Sequence, residues 1–284
     1  MAKGDFINYV VNNDSNKYPS NGLHTDGYWY ELYGKPPLKI VTWADGTDAE
    51  IVAMVNAADN GEINLADYWA VGDERQVTLS AMAATGVEET HAEQTVTFVL
   101  MNSGGKTLAN ATPSGRSECS FIVGMKNGLA EKGAMNSANT AAGGWDTCPR
   151  RTWCNEVFRN AIPQVLRDIF KQHLNVTANG NSTTTATSTD YFALPAEKEV
   201  FGRNNKANST AESSLTQFEY YATAANILKR IGDTVVVWSL RSPSKSLDTY
   251  YCNANYTKSN GTYTPKPGEY YAFYDYLLSP FGVI

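Results

Sequence analysis

The residues best suited to chemistry in this chain are sparse and poorly grouped. His24, His91 and His173 stand in three unrelated segments, and none belongs to an HxxxH or HExxH pattern. A nucleophile–histidine–acid triad is set by geometry and not by spacing, yet no GxSxG turn supports one. Ser103-Gly104-Gly105-Lys106-Thr107 looks like the end of a phosphate loop. Such a loop also needs a glycine five positions before its Gly-Lys pair, where Leu100 stands, so a hairpin turn is expected instead. Glu88, Glu89 and Glu93 group carboxylates of the type that cleave glycosides in pairs. Their polar, turn-forming surroundings predict a solvated face. Cys119, Cys148, Cys154 and Cys252 include no CxxC pair and no histidine neighbour, which predicts reduced, partly buried thiols and no zinc site. The sequons at Asn110, Asn175 and Asn208 are chance products of an Asn- and Thr-rich composition. No enzyme activity, metal site or cofactor is expected from this inventory.

The informative feature is aromatic. Eight tyrosines lie between Tyr250 and Tyr276, interleaved with Asn253, Asn255 and Asn260. Tyrosine offers a large, rigid contact area at low entropy cost, and with Ser, Asn and Gly it makes the composition of a binding surface. Aromatic faces also stack on sugar rings. The residues expected to touch a ligand are Tyr250, Tyr251, Asn253, Asn255, Tyr256, Tyr263, Tyr270, Tyr271, Tyr274 and Tyr276. The competing expectation for any one tyrosine is packing in a core or an edge strand.

Composition narrows the function classes. The chain has 284 residues with a net charge of −6, and no run of Lys or Arg exceeds two. A nucleic-acid binder needs a basic footprint, so that class is disfavoured. No apolar stretch approaches the roughly 18 residues of a spanning helix, so membrane insertion is not expected. The first residues lack a secretory apolar segment, and folding in a cytoplasm is expected. Charged residues reach 18%, below the roughly 25% of a typical soluble domain. A polar but weakly charged surface suits an assembly component or a binder of neutral ligands.

Several elements must position these residues. Residues 1–40 are rich in turn formers and aromatics and read as an attachment segment, with Tyr28, Trp29 and Tyr30 as docking residues. Gly34 and Pro36-Pro37 place the boundary near residue 40. A helix capped by Asp48 is predicted to end at Asn60-Gly61, followed by strands over 75–79, 95–101 and 120–123. Helical patterns follow over 151–173, restarted at Pro163, and over 214–230. Residues 177–189 read as an exposed loop, and Val235 to Trp238 as a strand buried on both faces. The mixture predicts an α+β domain over residues 41–284.

A longer pattern runs through the chain. It includes Trp43-Ala44-Asp45-Gly46-Thr47-Asp48, Asp67-Tyr68-Trp69-Ala70-Val71-Gly72-Asp73, Gly144-Trp145-Asp146 and Arg151-Thr152-Trp153-Cys154-Asn155. Phe158 to Pro163, Phe192 to Gly202, Trp238-Ser239-Leu240-Arg241-Ser242-Pro243 and Ser279-Pro280-Phe281-Gly282 continue it. Together these segments resemble an uncharacterised domain family common in bacteriophage tail genes and in prophages of gut bacteria. The resemblance implies a C-type-lectin-like fold whose last strands and loops display a binding surface. Ser239 departs from the second tryptophan expected after Trp238. A sulfatase-modifying relative of that fold works through a cysteine pair; Cys252 has no sequence-near partner, so that activity is not carried over.

The function these readings imply is a virion protein of the tail fibre or tail tip, assembled in the bacterial host cytoplasm. Its first segment would join other virion proteins, and its domain would bind a host-surface receptor, a glycan or a protein, as a homo-oligomer such as a trimer. A purely structural capsid or tail decoration protein is the alternative, and a glycan depolymerase a third class. A Ca²⁺ ion, used by some lectin-like domains, has no linear signature here.

Overall fold

The computed structural model describes residues 38–284, so Tyr28, Trp29 and Tyr30 lie outside the described residues. Thr47, not Asp48, opens the first helix, α1 (Asp48–Asp59). The Thr47 hydroxyl accepts the Glu50 N–H while the Glu50 carboxylate accepts the Thr47 N–H, a reciprocal cap that satisfies two otherwise open donors. Asp48 is thereby free to pair with Arg75. The helix seats Ile51, Met54 and Val55 in the core.

Strands β1 (Glu74–Leu79), β2 (Gln94–Ser103), β3 (Phe121–Met125) and β4 (Lys132–Gly133) follow. In β1, Arg75, Val77 and Leu79 alternate inward with the two-residue period of a strand. Helix α2 (Pro149–Trp153) starts on a proline, where a missing N–H costs nothing, and continues through a π-turn (Cys154–Phe158) and Arg159–Ala161. Helix α3 (Gln164–Arg167) begins after Pro163. The helical pattern then stops short of the expected His173, which instead opens β5 (His173–Ala178), paired with β6 (Thr185–Asp190). The segment expected as an exposed loop is therefore largely a hairpin. Its threonines suit strands, and Thr177, Ser188 and Asp190 are buried.

After β7 (Phe192–Ala193) come α4 (Glu197–Phe201) and α5 (Glu219–Ala222). The helix predicted over 214–230 shrinks to α5 and a short 3₁₀ turn, because Thr223 between them takes extended backbone. Strands β8 (Lys229–Ile231) and β9 (Thr234–Val236) form a small hairpin. Val236 is only half-buried; the strand buried along its whole length is the next, β10 (Trp238–Pro243). The chain closes with β11 (Tyr250–Ser259), β12 (Thr262–Tyr271), β13 (Tyr276–Leu277) and β14 (Phe281–Val283).

Two five-stranded sheets result, in the orders β1-β2-β3-β14-β7 and β12-β11-β10-β13-β4. All their pairings are antiparallel except β10 with β13. Sheets with a few short helices make this an α+β arrangement, and Val41–Ile284 form one compact unit. Strands β13 and β14 enter different sheets only three residues apart, so the last segment ties the sheets together. Trp153, Phe158, Phe192, Phe170 and Phe98 run through the core ring to ring, with successive centroids 5.9, 5.2, 4.7 and 6.1 Å apart.

Candidate functional site

The tyrosine-rich stretch folds as the β11–β12 hairpin, in unbroken register from Tyr250↔Tyr271 to Ser259↔Thr262. Paired residues share a face and successive residues alternate faces, so this register decides each tyrosine's surroundings. Tyr251 and Tyr270 form one pair and point inward, 0% and 4% exposed. Tyr251 donates its hydroxyl to the Gly144 carbonyl at 3.0 Å. Asn253, opposite Gly268, is 1% exposed. These three cannot reach a surface ligand, which corrects the expectation from composition: they are core residues on the inward face of the hairpin. Burial pushes the Tyr251 hydroxyl well above the ordinary tyrosine pKa.

The other seven do not form one group. Tyr256 and Tyr263 are diagonal neighbours towards the hairpin tip, with centroids 5.2 Å apart and Lys258 4.9 Å over the Tyr263 ring. Asn255 turns its side-chain oxygen to the Tyr256 N–H at 2.7 Å. Tyr276 packs against buried Tyr270 at 4.6 Å and is half-exposed. Tyr250, Tyr271 and Tyr274 gather at the hairpin base, six residues or about 20 Å of strand from Tyr256.

The base is where rings meet solvent. Tyr250 stands edge-on to Tyr271 at 4.6 Å, and Tyr271 contacts Tyr274 at 5.3 Å. Phe273, absent from the residues singled out by composition, completes the group at 5.8 Å from Tyr271 and 4.8 Å from Tyr274. Tyr271, Phe273 and Tyr274 are 36%, 43% and 45% exposed. A turn closed by the Tyr274 N–H on the Tyr271 carbonyl holds them, while Ala272 between them is buried and its N–H bonds the Thr249 carbonyl. The backbone therefore presents three rings outward.

Beside these rings lies an open cleft of about 310 Å³, lined in part by Glu88, Glu89, Asn136, Ser137, Phe273 and Asp275. Its wall is rigidly built. The Met135 and Asn136 N–H groups both bond the Ala272 carbonyl at 3.0 Å, which joins the cleft loop to the aromatic turn. Arg150 lies buried beneath, donating to the Ala134 carbonyl at 2.9 Å and to the Val87 carbonyl while pairing with Glu88. Glu88 also meets His91, whose other ring nitrogen is 2.7 Å from Glu131. Glu88 is thus a compensated core carboxylate and not part of a solvated face; Glu89 and Glu93 are exposed as expected.

A second polar group is enclosed in the core. Glu199 on α4 takes Arg241 of β10 and Lys106. Lys106 also donates to Asn175 at 3.0 Å, and Asn175 donates to Asp190 at 3.0 Å. Burial alone would raise the Glu199 carboxyl, but Arg241 and Lys106 outweigh it and hold it well below the ordinary carboxylate range. One anion facing two cations explains why Lys106 still titrates low: burial and Arg241 oppose its charge more than Glu199 supports it. Lys106 is therefore a core ion and not a phosphate-binding lysine, while Gly104 and Gly105 (φ 68° and 90°) form the expected turn. The Glu197 carboxylate accepts the N–H groups of Asn205, Lys206 and Ala207. Glu212, fully buried with one oxygen taking the Ser242 hydroxyl at 2.6 Å, is pushed up to about 7 by burial. All four cysteines are free and buried. Burial pushes the Cys119 thiol up to about 11, so it is a poor nucleophile. Among the described residues no group of His, Cys, Asp and Glu is arranged to hold a metal, and no helix is long and apolar enough to cross a membrane.

Residues 121–268 match the domain family described as Domain of unknown function (DUF6273). The chain belongs to the DUF6273 family. The DUF6273 match takes in β3 to Gly268 of β12, and so includes Glu197, Glu199, Glu212 and Arg241 of the buried polar core. Of the four rings at the hairpin base it includes Tyr250, while Tyr271, Phe273 and Tyr274 follow it. No curated protein and no solved structure matches this DUF6273 chain.

Proposed function

We propose that this DUF6273 protein is a binding module of a bacteriophage virion, at a tail fibre or tail tip, and recognises a host-surface glycan through the aromatic base of its β11–β12 hairpin. The observation that carries the reading is the solvent-facing group of Tyr250, Tyr271, Phe273 and Tyr274 beside an open cleft. Rings held by a turn give sugar rings a preorganised stacking surface, and Asn136, Ser137 and the tyrosine hydroxyls supply hydrogen bonds. The C-type-lectin-like fold belongs to this proposal: its support is the likeness of the sequence pattern, together with a binding group on the last strands and the turn after them. The virion setting rests on that same likeness, with residues 1–40 as the attachment segment and other virion proteins as partners. A single glycan contact is weak, and several copies on one particle raise it through avidity.

The test is binding of the full chain to intact gut-bacterial cells, with free cell-wall glycan as competitor. Retention that the glycan abolishes supports the proposal. Retention of the chain by other virion proteins, with no binding to any cell, favours a structural decoration role and contradicts it.

A further inference from the structure

The cleft beside the rings has a charge pattern of its own. Of its three carboxylates, Glu88 is buried and paired with Arg150, with the His91 ring beside it. Glu89 and Asp275 are exposed, and neither has an ion-pair partner among the described residues. Among the described residues no Lys, Arg or His side chain shares the lining with them. Arg150, the nearby cation, is turned away beneath the wall and spent on Glu88 and the Val87 and Ala134 carbonyls. Two uncompensated carboxylates thus share an open cleft with Phe273, which is 43% exposed and stacks edge-on to Tyr274.

A neutral sugar would gain the ring faces but would leave both carboxylates without a partner. An ammonium group satisfies both features at once, because the face of an aromatic ring attracts a cation and a carboxylate pairs with it. We infer that the cleft selects an amine-bearing glycan, one whose sugars carry free, protonated amino groups in place of acetamides. This inference rests on the glycan-binding reading above and names its ligand class.

The test separates the two. The full chain is titrated with an oligomer of glucosamine and, in parallel, with the N-acetylglucosamine oligomer of equal length, at mildly acidic pH and low salt. The sugar rings are the same and only the charge differs. The expected result is binding of the amine form about tenfold tighter, the size that one exposed ring contact and one exposed ion pair supply together. In the double variant Glu89→Gln, Asp275→Asn the preference falls to about threefold, the share of the ring contact alone, while the acetylated oligomer binds as before. In Phe273→Ala both oligomers lose affinity. Equal or tighter binding of the acetylated form by the native protein overturns the amine preference and leaves the glycan reading standing. A preference undiminished in the double variant, or undiminished in Phe273→Ala, places the site elsewhere and overturns the inference. Binding of neither oligomer overturns it too, and the cell-binding competition then decides the glycan reading independently.

Discussion

Adjacent tyrosines in β11 have opposite roles, because a strand turns successive side chains to opposite faces. Tyr251 is enclosed and hydrogen-bonded to Gly144, whereas Tyr250 joins the solvent-facing rings. Truncating Tyr251 to alanine empties a close-packed site and orphans the Gly144 carbonyl, which predicts a loss of about 3–5 kcal/mol by denaturant unfolding. Tyr274→Ala, at a position 45% exposed, is expected to cost less than about 1 kcal/mol. Glu212 offers a pH test at the same scale. Its folded pKa of about 7 lies above the ordinary 4.5, so the folded state binds more protons between those values. Stability therefore falls as pH rises through that window and levels off above it. Glu212→Gln removes this contribution: unfolding curves should show the variant gaining on the order of 2–3 kcal/mol on the native protein between pH 4.5 and 8. A parallel pair of pH profiles would contradict the assignment.

The hairpin is the element that carries the face, and β12 is the sheet's edge strand among the described residues. Pro265 and Pro267 lie two apart on β12 and have no N–H to give. Both must occupy positions whose donors would face away from β11, so the exposed edge lacks two of the donors an incoming strand would use. Replacing both with threonine restores them, and concentration-dependent association by light scattering is the expected outcome, with the native chain unchanged. Much at this scale was readable in the residues. The strand β1 follows from alternation, β2 and β3 from apolar and β-branched content, and α1 from its apolar spacing, although its cap is Thr47 and not Asp48. The helix expected over 214–230 was not readable, since its apolar spacing suits a buried irregular segment equally well. Composition does not single out Phe273, because what exposes it is the turn that sets all three rings outward.

Across the whole domain, contacts distant in sequence set what local pattern cannot. Lys106 meets Glu199 and Glu88 meets Arg150, 93 and 62 residues apart, and nothing near either pair signals the partner. Such buried pairs depend on being complete, because removing one ion strands the other in the core. They hold β10, α4 and the cleft wall in place, and the DUF6273 match spans much of that scaffold. The α+β class was legible from mixed short elements; the sorting of ten candidate residues into core, tip and base was not, because it depends on which faces of the hairpin the rest of the chain covers. The central claim is that ligand is held at the hairpin base. The most direct measurement is a titration of host cell-wall glycan against two double variants of the full chain, Tyr271→Ala with Phe273→Ala, and Tyr256→Ala with Tyr263→Ala. The base variant should lose binding by tenfold or more, about the sum of two stacking contacts, while the tip variant binds as the native protein does. Loss confined to the tip variant, or binding untouched in both, would contradict the account.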